Sequence, residues 1–420
     1  VEGKAIVVYN PVARIREDIV TAEMECGDLQ TLKIFDYNHK EVPCQVISKG
    51  SGKIKFIFPA TVPALGMAVY SVSNTSESVT TKNSLRVSEQ ALENEYYKVT
   101  IGKKGDIESI IDKKLGKEIL ADAIQLEFLY ENPDKWPSWN MDWLDRRYPA
   151  IDLVSNANVV DIKIVEDGPV RVAIEVIRER RNSKFIQTIR LAAGESGKRV
   201  EVANKIHWQS PGVSLKASFP LTAKNENATY NLGVGTIQRN TNHERKFEVP
   251  SKQWFDLTDE SGEFGVSILE DCKYGSDKPN DNTVRLTLMY TPGISDIRFQ
   301  HQGTQDFGIH ELKYGIYSHR GKWNESDVQW QAEFLNKPLV AFEAPKHKGV
   351  ENQVSFLKRN HYLKFAQSQE NTVITYRQYR WLKPIHPRMH IGHSILVLQF
   401  LAKDFVCYTI LCIHNLIICE

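Results

Sequence analysis

Alternation of apolar and polar residues with a period of two dominates this chain. Segments such as VRVAIEVIRER, FIQTIRLAA and TVRLTLMYT are rich in Val, Ile, Tyr, Phe and Thr, and alternate residues of a strand point to opposite faces. Turn signals such as EDGP, AAGESGK, SDKPNDN and TPG separate these segments. Many antiparallel strands at short spacing predict an all-β protein with more than one sandwich. The main helical prediction is one turn in SLRVSEQALENEYY.

The breaks in this pattern predict several domains, because 420 residues exceed what one hydrophobic core usually serves. A small β-sandwich is expected at residues 1–82, which end in the Ser/Thr-rich run SVSNTSESVTTK. A large β-domain is expected at residues 83–340. Residues 341–383 are expected to begin a truncated third β-domain.

The tail, residues 384–420, differs from the rest of the chain. It holds three of the six cysteines and four of the twelve histidines, and it lacks turn signals. Its two apolar runs are interrupted by Lys403 and Asp404, and each is shorter than the roughly 20 residues that span a bilayer. We predict that this tail is foreign sequence from a shifted reading frame or a cloning junction; a membrane anchor is the alternative.

Composition narrows the classes of function. Lys and Arg total 53 against 52 for Asp and Glu, a net charge of +1, which argues against a dedicated nucleic-acid binder and is compatible with a neutral ligand such as a sugar. No CxxC spacing occurs among the six cysteines, so no disulfide framework or zinc ribbon is predicted. Without a signal peptide the chain resembles a fragment or mature piece, and three sequons, at Asn74, Asn227 and Asn324, only weakly suggest a secretory route.

The most metal-like pattern is HPRMHIGH, with His386, His390 and His393. Histidines at i and i+4 of a helix can hold zinc, but Pro387 and Gly392 disfavour a helix here. No Glu occupies the general-base position of such a motif. No metal site is therefore predicted.

The aromatic run WPSWNMDWLDRRY is the best candidate for ligand contact. Trp136 and Trp139 offer flat faces on which sugar CH groups stack, while Asp142 and Arg146 can pair with hydroxyl groups. Two nearby prolines and the absence of alternation predict a loop. The alternative is that the tryptophans only pin this loop to its own sheet.

The stretch QDFGIHELKYGIYSH concentrates acidic residues, histidines and tyrosines in one predicted strand. His310 shares a strand face with Leu312 and Tyr314. A histidine in such a position is more often a hydrogen-bonded core residue than a group that transfers protons. Asp306 and Glu311 point to opposite faces, so they cannot be the paired carboxylates of a glycosidase. A structural role is predicted.

Motifs along residues 1 to 380 resemble, in order, the part of glycoside hydrolase family 38, the α-mannosidases, that follows the catalytic domain. The resemblance rests on YNPVARIREDIV, LENEYYKVTIGKKGDIESIIDKKLGKEIL, FEVPSKQWFDLTD and DFGIHELKYGIYSH. It implies a galactose-mutarotase-like β-supersandwich with smaller flanking β-sandwich domains. It also implies that His310 helps to shape the surface that faces the catalytic domain.

In that family, zinc and a nucleophilic Asp lie in an N-terminal α/β barrel, where terminal α-mannosides are hydrolysed with retention. Nothing in this chain matches the barrel, so the resemblance assigns no catalytic residue and no zinc ligand here. The implied partners are the missing barrel and an α-mannoside carbohydrate, and the fragment alone is expected to be inactive. A stand-alone carbohydrate-binding β-domain and a mutarotase or lyase on the same fold are the alternatives.

Overall fold

The computed structural model describes residues 4–25, 32–74, 84–138, 140–293 and 305–344 with their side chains, apart from the side chain of Val159, and five later strands between residues 353 and 412 by their backbone. The chain is all-β, as predicted, and two short α-helices occur among the residues that the structure describes. It divides into two compact units, one of residues 1–79, 231–237 and 337–420 and one of residues 80–230 and 238–336.

The strands follow the predicted alternation closely. Those before residue 80 are β1 (Lys4–Asn10), β2 (Arg16–Glu25), β3 (Leu32–Phe35), β4 (Glu41–Val42), β5 (Gln45–Gly50), β6 (Lys53–Val62) and β7 (Gly66–Asn74). Next come β8 (Arg86–Ser88), β9 (Ala91–Glu93), β10 (Tyr97–Ile101), β11 (Ile107–Asp112), β12 (Lys117–Glu118), β13 (Gln125–Tyr130), β14 (Asp152–Leu153), β15 (Val159–Asp167), β16 (Arg171–Arg180), β17 (Ser183–Ala192), β18 (Val200–Trp208) and β19 (Val213–Pro220).

The second half of the chain continues the same pattern. Its strands are β20 (Ala228–Asn231), β21 (Thr236–Arg239), β22 (Val249–Pro250), β23 (Trp254–Thr258), β24 (Phe264–Glu270), β25 (Gly275–Asn280), β26 (Thr283–Thr291), β27 (Gly308–Arg320), β28 (Val340–Ala344), β29 (Gln353–Ser355), β30 (Leu357–Phe365), β31 (Val373–Trp381), β32 (Ser394–Ala402) and β33 (Phe405–Cys412). The helices are α1 (Trp143–Arg146) and α2 (Val328–Asn336).

The smaller unit contains a six-stranded sheet, ordered β28-β1-β7-β3-β4 with β29 beside β7, and a three-stranded sheet, β2-β6-β5. In β2 every second residue from Arg16 to Met24 is buried, and Val20 packs with Phe56 and Phe58 in one core. The prediction that residue 341 begins a separate domain needs correction, because β28 pairs along β1 with Phe342 opposite Val7. The backbone N–H and C=O groups of β28 form hydrogen bonds with β1. If β28 instead began a separate domain, these groups of β1 would lie at an open sheet edge.

The tail contributes β32 and β33 to a four-stranded antiparallel sheet ordered β30-β31-β32-β33. Residues 384–393 and 413–420, which include the three histidines of HPRMHIGH, lie outside the described residues. The foreign origin of the tail remains a prediction.

Deleting residues 384–420 is expected to leave the thermal unfolding of the larger unit unchanged. In the described structure, β32 and β33 pair only within their own four-stranded sheet. Differential scanning calorimetry of the shortened chain measures this, and better solubility is expected because the tail is apolar and rich in cysteine. A marked fall in the melting temperature of that unit would show that the tail packs natively.

The larger unit has a five-stranded sheet (β12-β11-β10-β9-β8), a six-stranded sheet (β14-β13-β19-β26-β25-β22) and a nine-stranded sheet (β15-β16-β17-β18-β27-β24-β23-β20-β21). All three contribute to one hydrophobic core, with Val99, Phe128 and Ile174 as examples. Near one end of this core the Phe128 and Trp208 rings stack with centroids 6.0 Å apart. This arrangement of several sheets agrees with the predicted all-β fold class.

Two helical assignments differ from the prediction. SLRVSEQALENEYY forms β8 and β9 rather than a helical turn, because Leu92 pairs with Val99 of β10 and with Val87 of β8 in the five-stranded sheet. Helix α2 was not predicted; it places Val328, Ala332 and Leu335 against the outer face of the nine-stranded sheet.

Candidate functional site

Residues 131–151 form a long connection between β13 and β14, here called the 131–151 loop. As predicted it lacks strands, and its only helix among the described residues is the single turn α1. Trp139 lies outside the described residues. The loop starts where the six-stranded sheet ends, since the Glu131 N–H donates to Gly212 O and Glu131 O accepts from the Gly293 N–H.

The tryptophans of this loop differ in their surroundings. Trp136 is 52% exposed, and its φ of 55° is unusual for a bulky residue. Trp143 is half-buried, and its ring packs on Phe247 with centroids 5.6 Å apart. Trp143 therefore holds the loop to the segment that contains Phe247, whereas about half of Trp136 is exposed to solvent. Other large exposed apolar residues of the loop are Leu144, Tyr148 and Ile151.

Asp142 organises the loop. Its carboxylate accepts hydrogen bonds from the Asp134 N–H at 2.8 Å and from Asn140 Nδ2 at 3.0 Å. Its carbonyl oxygen accepts from the Arg146 N–H at 3.1 Å. Backbone and amide groups of the loop thus supply the donors to this carboxylate.

Arg146 turns into the protein, which corrects its prediction as a residue facing substrate or a partner. Its side chain is 1% exposed and lies 2.5 Å from a carboxylate oxygen of the fully buried Glu131. The guanidinium also donates to Tyr130 O at 2.8 Å. Burial raises the pKa of Glu131 to about 7, although Arg146 acts in the opposite direction. This ion pair joins the first residue of the loop to its helical turn.

A layer of buried charges lies on the outer face of the six-stranded sheet. Lys216 bonds Asp277 at 3.0 Å and contacts Glu248. The Arg285 guanidinium donates hydrogen bonds to both carboxylate oxygens of Asp277, and its Nη1 lies 3.0 Å from a carboxylate oxygen of Glu127. The Arg285 and Lys216 cations hold the pKa of Asp277 below its usual range in spite of its burial. Sequence reasoning missed this layer, because alternating polar residues on a strand normally indicate a solvated face.

The 131–151 loop and the segment before β22 pack around this polar layer. Tyr290, on the same strand as Arg285, donates its hydroxyl to Asn140 O in the loop. Glu248 follows Phe247, the partner of Trp143. Together these contacts place the loop over charged groups that are already paired with one another.

His310 lies near the start of β27 and is partly exposed. One ring nitrogen is 2.6 Å from Asp306 O, so the ring closes a local turn. It shares a parity with the buried Leu312 and Tyr314, as predicted. Since Gly308 pairs with Trp208, this strand begins at the same end of the sandwich as the 131–151 loop. No contact between His310 and the loop is among the interactions of the described residues.

His319, from the same sequence motif, forms a buried cluster with Asp256 and Ser267. The Asp256 carboxylate accepts from Ser267 Oγ at 2.7 Å and lies 2.8 Å from His319 Nε2. The serine therefore bonds the carboxylate rather than the imidazole, and all three side chains are buried. A catalytic triad needs the serine hydroxyl bonded to the histidine, so this arrangement is structural.

Within the described residues no group of three or more His, Cys, Asp or Glu side chains is arranged to hold a metal ion. In that same part of the chain, no helix is both long and apolar enough to cross a membrane.

The fold and the loop held by the Glu131–Arg146 pair define a β-sandwich region with a long aromatic connection. Residues 92–298 match the family described as "Glycosyl hydrolases family 38 C-terminal domain". Over this region the chain is similar to the C-terminal domain of glycosyl hydrolase family 38, which confirms the predicted resemblance.

Relatives of known name agree with this assignment. "Alpha-mannosidase 2C1" of Homo sapiens is 29% identical over 264 residues, covering 60% of this chain and 24% of the relative. "Alpha-mannosidase" of Saccharomyces cerevisiae is 30% identical over 279 residues, covering 62% and 24%. The chain thus spans about a quarter of the length of these curated relatives.

A solved α-mannosidase structure from Enterococcus faecalis V583 shares the fold. It superposes with a TM-score of 0.69 at 14% identity, covering 95% of this chain and 52% of that chain. The likeness supports the architecture described above.

Proposed function

We propose that this chain acts as the C-terminal β-region of an α-mannosidase, and that the 131–151 loop faces the part of the enzyme where terminal α-mannosides are hydrolysed with retention. The observation that carries the proposal is the exposure of Trp136 on a loop held by a buried ion pair, within a family 38 C-terminal domain. Fixing the loop before the partner or substrate arrives lowers the entropy lost on contact.

The carboxylates of this loop are engaged in local contacts, so they fit a role in holding the loop in place better than a role in catalysis. Asp142 accepts hydrogen bonds from its own loop, and Asp145 accepts one from the Asn132 N–H at 2.7 Å. Glu131 is buried against Arg146. Retaining glycosidases need two accessible carboxylates about 5–5.5 Å apart across the scissile bond. We infer that zinc and the catalytic carboxylates of such an enzyme are supplied outside this chain.

Changing Trp136 to Ala in an enzyme that contains this chain is expected to lower kcat/KM for an aryl α-mannoside about 2- to 10-fold. A stacked aromatic ring contributes roughly 0.5–1.5 kcal/mol, and about 1.4 kcal/mol corresponds to tenfold in rate. The chain alone should keep its unfolding midpoint, because the ring is half in solvent. Steady-state kinetics measure the change in kcat/KM, and urea denaturation measures the unfolding midpoint.

Phe342→Ala is the matched control, since Phe342 is 48% exposed and lies in the smaller unit. It should leave kcat/KM unchanged. A rise in KM for Trp136→Ala would indicate contact with the sugar, and a lower melting temperature of the whole enzyme would indicate contact with another domain. Unchanged kinetics and stability of the whole enzyme, or a core-like loss of about 3–5 kcal/mol in the chain alone, would refute the proposed orientation.

The alternative of a stand-alone carbohydrate-binding β-domain rests on the same exposed ring. It predicts that the chain alone binds mannose-containing oligosaccharides through Trp136. Isothermal titration with such an oligosaccharide separates the two functions, because the proposed role requires no measurable affinity in the isolated chain.

A further inference from the structure

A network of buried polar side chains lies in the larger unit. Arg178, which is 1% exposed, donates to the carboxylate of Asp106 and to the amide oxygen of Gln187. It also donates to Lys104 O at 3.2 Å. Gln187 in turn donates to Asn204 Oδ1 at 2.9 Å. Such a network is stabilising only when each of its buried polar groups is satisfied.

A small internal cavity adjoins this network. Asp106, Arg178, Gln187 and Tyr314 form the polar part of its wall, and apolar residues such as Val202 form the rest. These five residues are each at most 6% exposed, so the cavity lies within the core. The space fits about one water molecule.

One group of the polar wall lacks a partner. Arg178 Nε is buried and finds no hydrogen-bond acceptor among the described residues. A buried N–H donor without an acceptor is strongly disfavoured, and guanidinium nitrogens are donors only. The unmet donor and the cavity therefore involve the same side chain, that of Arg178.

We propose that this cavity is a binding site for one ordered water molecule. The water accepts a hydrogen bond from Arg178 Nε–H and donates to oxygen atoms of the same wall, which Asp106 and Tyr314 provide. An inorganic anion fits the site poorly, because the Asp106 carboxylate already neutralises the guanidinium. The polar wall also distinguishes this site from a dry apolar void. The inference does not depend on the proposed function.

A crystal structure of the chain at high resolution tests the site directly. A solvent peak within hydrogen-bond distance of Arg178 Nε and of a second polar atom is expected. Crystals pressurised with xenon should show no xenon there, since xenon occupies dry apolar cavities. An empty cavity or a bound xenon atom would overturn the proposal.

Val202→Ile provides a test in solution, because its added methyl group enters the space assigned to the water. Val172→Ile is the control: Val172 is equally buried but lies outside the cavity wall. If the site holds water, Val202→Ile should lower the urea midpoint at least as much as Val172→Ile. A smaller loss than the control, or a gain, would show that the methyl group fills a dry void, and would refute the proposal.

Discussion

Replacing Arg146 by Met is expected to lower the free energy of unfolding of this chain by about 3–5 kcal/mol at pH 8, because the change leaves the carboxylate of Glu131 buried without its cation. Equilibrium denaturation in urea measures the loss. The exposed neighbour Arg147 is the control, and Arg147→Met should change the stability by less than about 0.5 kcal/mol.

The cost of Arg146→Met should be smaller at pH 5 than at pH 8. The pKa of Glu131 is already raised to about 7 by burial, and losing Arg146 removes an interaction that lowers it. At pH 5 the carboxyl group is therefore protonated and carries no unpaired charge. The double variant Glu131→Gln/Arg146→Met should recover most of the loss at pH 8. An equal cost at both pH values, or no recovery, would show that the ion pair does not anchor the loop.

The second large effect concerns Glu270, a fully buried carboxyl group at the end of β24. Burial raises the pKa of Glu270 to about 8, against the lowering effects of hydrogen bonds from Ser251 and the Gln253 backbone. The folded state thus retains a proton that the unfolded state releases near pH 4.5. The stabilisation is complete below that value and is lost as the pH rises towards 8.

Glu270→Gln should therefore flatten the dependence of stability on pH. The native chain is expected to lose roughly 2–4 kcal/mol from this group between pH 5 and pH 9, at about 1.4 kcal/mol per unit of pKa shift. Urea denaturation across this range measures the slope, and Glu263→Gln, at an exposed position, is the control. Parallel pH profiles for the native chain and Glu270→Gln would contradict the raised pKa.

Alternation predicted strands such as β2, β17 and β18 well because each of them has one face more deeply buried than the other. In β17, residues from Ser183 to Leu191 alternate between buried and half-buried, as the period of two requires. The prediction failed where tertiary contacts determine the conformation. SDKPNDN was interpreted as a turn, but its first residues belong to β25, where Asp277 is held by Arg285 and Pro279 falls in the irregular part of the ladder.

The candidate site was predicted only in part. The sequence indicated an aromatic loop and a structural role for the motif around His310. It did not indicate that Arg146 would pair with Glu131, because fifteen residues separate the two and no local periodicity relates them. Helix α2 did carry a signal, since Val328, Ala332 and Leu335 recur at the spacing of one helical face.

The buried charges of the six-stranded sheet show a further limit of sequence patterns. Lys216 and Arg285 occupy strand positions that alternate with core residues, which is typical of a solvated face. Contacts such as Tyr290 to Asn140 show that the loop packs against this face instead. That the loop covers this face depends on the path of the chain after β13. The spacing of polar residues along the strands alone could not have identified the buried charges.

Hydrolysis of an aryl α-mannoside by this chain alone, with zinc supplied, tests the central claim most directly. The claim is that the chain presents a surface to an α-mannosidase reaction centre and contains no such centre itself. Circular dichroism of the same sample should first show a β-rich fold. We then predict no turnover above the buffer rate. Zinc-dependent turnover by the isolated chain would contradict this account.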